Sequence, residues 1–367
     1  MKRVKICNIY NYPSHYRKSI YKLLDTEYDC SFVFGDEKLD IKTFDISELK
    51  DASFYHVVKF GHYLFTNRIL KFLFKNYDYY IITIATDNLT HWLFFLLAKF
   101  FRRKKVYVWG HGMYGFENNL QMLVRRTYFS LTDGILVYGD YAKRLMVQTG
   151  FPEKKIIPIH NSLDYDEQLK IRKTLKNTDI YNAHFKNENP VLIFIGRLTK
   201  VKKLDLLINA VSILQKRGED YNVVFVGDGR ERENLQNLCH QLGLDEKVWL
   251  YGACYDEQTN ASLIYNADLC VSPGNVGLTS IHCFSFGTPV ITHNNFSRQM
   301  PEFEVIKDGQ TGAFFEMDNV ESLAETISGW FNKNRDNRDS IRNLCFDIID
   351  KEWNPYYQME VFKKVIL

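Results

Sequence analysis

At 367 residues the chain is too long for one ordinary hydrophobic core, so length alone points to two domains of similar size. Its 47 Lys and Arg against 44 Asp and Glu leave a net charge of +3, which argues against wholesale nucleic-acid binding, and a charged fraction of 25% is ordinary for a soluble protein. Seven scattered cysteines (Cys7, Cys30, Cys239, Cys254, Cys270, Cys283 and Cys345) show no C-x-x-C spacing, which argues against a disulfide framework or a zinc cluster and for a reducing compartment.

In chain order, the first half alternates short β-branched or aromatic runs with helical patterns. The runs are Val4–Tyr10, Cys30–Gly35, Tyr80–Ala85, Val106–Gly110, Gly134–Gly139 and Ile156–His160; the helical patterns include His15–Leu24 and Tyr141–Thr149. That order predicts a mostly parallel sheet covered by helices. The start, MKRVKICNIYNY, has neither the apolar core nor the cleavage site of a secretion signal, and a cytoplasmic location is expected. Aromatic residues reach 15% and gather with basic ones in KFGHYLFTNRILKFLFKNYDYY (59–80) and HWLFFLLAKFFRRKK (91–105). Both stretches read as helices packed on a sheet, with faces that suit peripheral contact with an anionic membrane at the inner face of the cell membrane. The longest apolar run, Trp92–Phe101, contains Lys99 and falls far short of the roughly 20 residues that span a bilayer.

Between Asp164 and Pro190 the chain is charged, polar and poor in strands, and reads as an interdomain segment. The second half repeats the alternation more cleanly. VLIFIG (Val191–Gly196) precedes a helix with Leu204, Leu207, Ile208, Val211 and Leu214 at helical spacing. NVVFVGDG, RERENLQNLCHQLG, VWLYG, QTNASLIYNA, DLCVSP and PVITHN follow, the order of a doubly wound α/β domain. GAFFEMDNVESLAETISGWF adds a strand and a helix, and Trp353–Leu367 forms a last helix able to pack back on the first domain. The expected boundaries are 1–164 for the first domain, 165–189 for the interdomain segment, 190–350 for the second domain and 351–367 for the C-terminal helix.

Ligands of doubly wound domains sit beyond the carboxyl ends of the strands. In Pro273–Thr279 the chain leaves a strand, passes Gly274 and Gly277, and starts a helix near Leu278 and Thr279. Unpaired amides and the positive end of a helix dipole suit a phosphate there, at roughly 0.3–2 kcal/mol for the dipole alone. Glycine before a helix also marks ordinary turns, so a second feature matters. Arg197 directly follows VLIFIG and Lys202 lies five residues on, which delivers a planar fork and a point charge to the same sheet edge, enough to neutralise a diphosphate. Taken alone, Lys200, Lys202 and Lys203 read as a solvated charged loop.

The series GRLTKVKKLDLLINA, VVFVGDGRERENL, YGACYDEQTNASLIYNADLCVSP, GNVGLTSIHCFSFGTPVI and EVIKDGQTGAFF resembles the donor-binding domain of family 4 retaining glycosyltransferases of GT-B architecture. The first half matches only in outline, mainly through VWGHGMYG and IIPIHNSLD. The resemblance implies two Rossmann-like domains facing across a cleft. It implies that Arg197 and Lys202 bind the diphosphate of a nucleotide-sugar, and that amides near Gly277, Leu278 and Thr279 bind its distal phosphate. The turn near Cys254 then meets the base, and His111 faces the transferred sugar. Unaided, His111 is a loop histidine after a strand.

One departure lies inside the glycine loop. Most of the family carry two glutamates eight residues apart; aligned on Gly277–Leu278, those positions here hold Gly274 and His282. His282 lies one helical turn beyond Thr279 and can still bond a ribose. Asn275 is adjacent and polar, and Glu304 aligns with another acidic position near the cleft. The implied chemistry is transfer of a sugar, from a UDP-sugar first among donors, to a glycan or polyprenyl-diphosphate-linked acceptor of lipid-linked, polysaccharide, O-antigen or capsule type. It proceeds with retention and without a metal or other cofactor. The one suggestive Asp-x-Asp, Asp164–Tyr165–Asp166, sits at a linker, where three-residue matches arise by chance. Alternatives are a nucleotide-sugar epimerase, disfavoured by the missing acids, and a non-catalytic binding subunit, which the missing acids favour and the two cations oppose. Arg17, in NYPSHYRKS, reads as a surface residue on the acceptor side.

Overall fold

The computed structural model describes residues 3–36, 42–101 and 104–366. The chain divides into two compact units, Met1–Asp164 with Asn354–Leu367, and Tyr165–Trp353. The first contains β1 (Lys5–Tyr10), α1 (Lys18–Glu27), β2 (Asp29–Gly35), β3 (Ala52–Tyr55), β4 (Val57–Phe60), β5 (Tyr63–Thr66), β6 (Tyr79–Thr83), α2 (Leu89–Phe100), β7 (Lys105–Gly110), α3 (Asn119–Ser130), β8 (Gly134–Val137), α4 (Asp140–Gln148) and β9 (Ile156–Pro158). Its main sheet runs β3-β2-β1-β6-β7-β8-β9, all parallel. Strands covered on both faces carry apolar residues without alternation, which is why β8 is buried throughout.

The second unit contains α5 (Tyr165–Arg172), α6 (Ile180–Phe185), β10 (Val191–Ile195), α7 (Leu204–Lys216), β11 (Asn222–Val226), α8 (Arg232–Leu242), β12 (Val248–Gly252), α9 (Glu257–Asn266), β13 (Leu269–Ser272), α10 (Leu278–Ser285), β14 (Val290–His293), β15 (Gly312–Phe315), α11 (Val320–Asn334) and α12 (Arg338–Glu352). The predicted apolar face of α7 is buried at Leu204, Leu207, Ile208, Val211 and Leu214. Each such side chain stabilises the fold by about 1.5–3 kcal/mol. The sheet order, β12-β11-β10-β13-β14-β15, is doubly wound and reverses between β10 and β13, so its topological switch point lies at the carboxyl ends of those two strands. In the first unit the reversal falls between β1 and β6.

Helix α13 (Pro355–Val365) packs within the first unit, with Phe362 edge-on to Trp109 at 5.4 Å between ring centroids. Its Gln358 accepts from Ser162 Oγ at 2.8 Å and donates to the His160 carbonyl at 3.0 Å. The charged stretch 165–189 forms α5 and α6, which group with the second unit. Gln168 donates to Glu257 at 3.0 Å and Tyr181 to the Leu263 carbonyl at 2.6 Å. Gln168 is the buried residue of α5, so this helix is held by polar contacts and carries no apolar stripe for a periodicity to detect.

The stretch 59–80 is a correction. It is not a helix but the antiparallel hairpin β4–β5, joined at Gly61 (φ +60°) and followed by a short 3-10 turn at Ile69–Phe74. Aromatic and β-branched residues on both sides of a left-handed glycine favour paired strands over a helix. The second aromatic stretch does form α2; its Arg102 and Arg103 lie outside the described residues.

Candidate functional site

The loops leaving β10 and β13 meet at the switch point of the second unit. Gly274 donates its amide to the Lys202 carbonyl at 2.9 Å. A Cβ at 274 would stand 2.0 Å from the Val201 carbonyl oxygen, so only glycine permits this approach. The contact brings the Lys202 ammonium onto Asn275, donating to its carbonyl at 2.6 Å and to its Oδ1 at 2.9 Å. Gly277, at φ +54°, then turns the chain into α10, whose first amides have no intrahelical acceptor. Thr279 Oγ1 donates to the Ile195 carbonyl at 3.0 Å, which sets that first turn over the end of β10, where Arg197 emerges exposed. The three lysines of the loop thus separate: Lys200 is exposed, Lys203 pairs with Asp318, and Lys202 is turned inward to Asn275.

Burial pushes the Lys202 ammonium down to about 8; Glu302 opposes the shift and Arg197 adds to it. Because its folded value lies below the 10.5 of the unfolded chain, Lys202 disfavours the ligand-free fold fully below pH 8, and this penalty is relieved as pH rises from about 8 toward 10.5. A diphosphate holds the ammonium charged. Its affinity is therefore expected to be flat between about pH 7 and 8 and to fall by up to about tenfold per pH unit above that range. Calorimetry in two buffers of different ionisation enthalpy checks this through proton uptake on binding.

Three residues of this region carried no sequence signal. Gln299, 4% exposed, accepts from the Val276 amide at 2.9 Å and donates to Thr292 Oγ1 at 2.7 Å and to the His293 carbonyl at 3.1 Å. Thr292 Oγ1 in turn donates to the Ser272 carbonyl at 2.8 Å, so one amide side chain fastens the glycine loop to β14. Gln299→Leu leaves the Val276 amide buried without its acceptor, at an expected cost of about 1–3 kcal/mol, read in a denaturant titration. Glu302 is 2% exposed and is the carboxylate whose charge faces Lys202. Glu257 is the third. Its Oε1 lies 3.1 Å from His282 Nε2 and also accepts from Gln168. Burial pushes the Glu257 carboxyl upward, yet His282 and the hydrogen bonds from Gln168 and Asn260 outweigh burial and hold it below the usual carboxylate range.

The expected site residues are thus distributed as follows. Lys202, Asn275 and the backbone of 274–279 meet directly, and Thr279 joins them to the end of β10 beside Arg197. His282 is engaged by Glu257 rather than by the cations, so position 282 meets a carboxylate supplied from α9. Cys254 is half-buried in the turn after β12, its carbonyl accepting from Asn260 at 3.4 Å. Glu304 is half-buried in the turn Pro301–Val305, its carbonyl accepting from Lys307 at 3.3 Å.

His111 belongs to the first unit, directly after β7. Glu117 accepts from the amides of Tyr114 and Gly115, each at 2.8 Å, and Arg125 donates to the Gly112 carbonyl at 2.6 Å, fixing the loop that carries it. The imidazole stacks on Tyr114 at 5.3 Å and meets Tyr138 edge-on at 4.9 Å, with Nδ1 buried and without a partner. Burial first, then Arg17 and Arg125, push it down to about 4, so it is neutral at pH 7.

Arg17 is not the surface residue expected. It is 1% exposed, its guanidinium over Trp109 at 4.3 Å and Tyr10 at 4.7 Å, and it donates to Tyr138 and to Asn161 at 3.4 Å. The aromatic box comes from β1, β7 and the residue after β8, positions too far apart in sequence to read as one. Arg17→Met is expected to raise the His111 value while leaving it below 6.5, since burial is the larger cause. A histidine NMR titration reads the shift.

Two doubly wound units of parallel strands give the chain the GT-B fold of its structural neighbours. Residues 176–344 match the family described as Glycosyl transferases group 1. An uncharacterized glycosyltransferase of Methanocaldococcus jannaschii is 26% identical over 228 residues, 57% of this chain and 55% of the relative. A 41.2 kDa protein in the cps region of Klebsiella pneumoniae is 24% identical over 235 residues, 62% of this chain and 61% of the relative. The matches thus span little more than half the length of these curated relatives. Among solved structures, the lipopolysaccharide outer core galactosyltransferase WaaB in its apo form aligns with a TM-score of 0.74 at 15% identity, covering 99% of both chains. Anabaena HepE in complex with UDP aligns at 0.68 and 14% identity, again over 99% of both.

Proposed function

We propose that this chain moves a sugar from a nucleoside diphosphate donor, UDP-linked first among the candidates, to a glycan acceptor of surface-polysaccharide or lipid-linked type, with retention and without a metal. The observation that carries the reading is the convergence of Lys202, Asn275 and the first turn of α10 at the end of β10, beside Arg197. Breaking a sugar–diphosphate bond places negative charge on the leaving oxygen. Fixed cations and amides aimed there stabilise the transition state more than the ground state. The departing phosphate oxygen takes the proton of the acceptor hydroxyl as the new bond forms on the same face of the sugar. His111, neutral at pH 7, bonds a sugar hydroxyl without adding charge.

The donor class is supported by the HepE structures, which hold UDP and UDP-glucose. The acceptor class is supported by the Klebsiella relative and by a Rhizobium meliloti lipopolysaccharide core glycosyltransferase, 26% identical over 138 residues, 38% of each chain. The test is release of nucleoside diphosphate from UDP-, GDP- and dTDP-sugars with a polyprenyl-linked glycan acceptor, and NMR of the product anomer. One donor consumed with its anomeric configuration kept supports the reading. Inversion, or nucleotide bound without turnover on any acceptor, rejects it, the latter in favour of a binding subunit.

A further inference from the structure

Helix α2 is apolar on two faces. His91, Phe94, Phe95 and Ala98 are buried, whereas Leu89, Leu93, Leu96 and Phe100, spaced as one helical stripe, are 38%, 45%, 47% and 82% exposed. Lys99 is the sole charged side chain of the helix. The hairpin carries a second such face. Its register sets Val58 opposite Phe65 and Phe60 opposite Tyr63, so these four side chains point to one side, and all four are exposed.

The two elements are continuous. The Leu64 amide donates to the Asp87 carbonyl and the Thr66 amide to Thr90 Oγ1, each at 3.0 Å, which fastens the hairpin to the start of α2. Beyond the other end of the helix, Phe101 meets the exposed Phe74 edge-on at 6.0 Å. Lys59 on β4, Lys99 on α2, and Arg68, Lys71 and Lys75 in and beside the turn Ile69–Phe74 stand exposed, and none of them enters an ion pair among the described residues.

Exposed apolar area of this extent marks an interaction surface, and its rim of unpaired cations selects the occupant. A second copy would set like charges against each other across a twofold interface. We propose that the hairpin face and the α2 stripe together dock this chain on an anionic lipid bilayer, the aromatic and leucine side chains entering the headgroup layer and the cations meeting lipid phosphates. No helix among the described residues is long and apolar enough to cross a membrane, and this docking requires none. It rests on these surface residues and not on the transferase reading.

Co-sedimentation of the full chain with phosphatidylglycerol-containing vesicles, and with phosphatidylcholine vesicles alone, tests it. Binding is expected on the anionic vesicles only, weakening as salt is raised. Phe60→Ser with Phe100→Ser should weaken it at least about tenfold, and Lys71→Gln and Lys75→Gln about fivefold each, with melting temperatures unchanged because all four residues are exposed. Equal binding to neutral vesicles, no binding to either, or full binding by the serine variant overturns the proposal. So does a dimer in vesicle-free solution that the serine variant dissolves, since a second copy is then the occupant.

Discussion

Lys202→Met is expected to lower kcat/KM for the nucleotide-sugar about tenfold to a hundredfold while leaving the melting temperature unchanged or higher. The loss follows from removing one charge-assisted contact to a diphosphate, worth about 1.5–3 kcal/mol. The stability effect has the opposite sign. Burial and the neighbouring Arg197 both disfavour the ammonium in the ligand-free chain, so an apolar side chain of similar length relieves a penalty. Activity and stability moving in opposite directions is the signature of a group held in an unfavourable place for a ligand. A lysine present only to fasten the loop through Asn275 would lower both together. Steady-state kinetics and a thermal melt on one preparation separate the cases, and Arg197→Ala, at an exposed position, should reproduce the kinetic loss with little thermal change.

Gly274→Glu, the substitution that makes the loop look more like the family it resembles, is expected to abolish nucleotide binding. The position is closed by geometry. A Cβ there stands 2.0 Å from the Val201 carbonyl oxygen and 2.8 Å from two Lys202 backbone atoms, and backbone cannot yield as the end of a side chain can. Gly274→Ala alone should therefore displace the Lys202 loop, at a cost of about 1–3 kcal/mol in stability, and take the ammonium off Asn275. The glutamate adds a negative charge beside the diphosphate. Thermal melts of both variants with nucleoside diphosphate titrations check this; an unchanged melt and retained binding in Gly274→Ala would falsify the close-approach account.

The lost glutamates thus acquire a structural reading. At 274 no side chain fits, and the acid nearest Lys202 in its electrostatics is Glu302, arriving from the turn Pro301–Val305. At 282 the histidine is met by Glu257 from α9. Both acids come from elements remote in sequence from the glycine loop, so no spacing rule could have found them.

What the sequence made legible follows the same logic. Periodicity and strand runs placed the second sheet almost residue by residue, because β10 to β13 each lie between α-helices and repeat one simple pattern. The cations and glycines were legible because the doubly wound order puts strand ends and helix starts at one edge. The hairpin was misread because aromatic residues at 59–66 fit a helix face as readily as a strand pair, and only the left-handed Gly61 decides between them. Arg17 was misread because its burial depends on Tyr10, Trp109 and Tyr138, brought together by three separate strands. Gln299 was invisible because a buried amide that joins two loops leaves no periodic trace.

The most direct test of the central claim is a calorimetric titration of the full chain with UDP, UMP and uridine, repeated on Lys202→Met. If Arg197, Lys202 and the first turn of α10 hold a diphosphate, UDP binds at least about tenfold more tightly than UMP and far more tightly than uridine, and the variant erases that difference. Uridine binding as tightly as UDP, or a variant that keeps the full preference for the diphosphate, would contradict it.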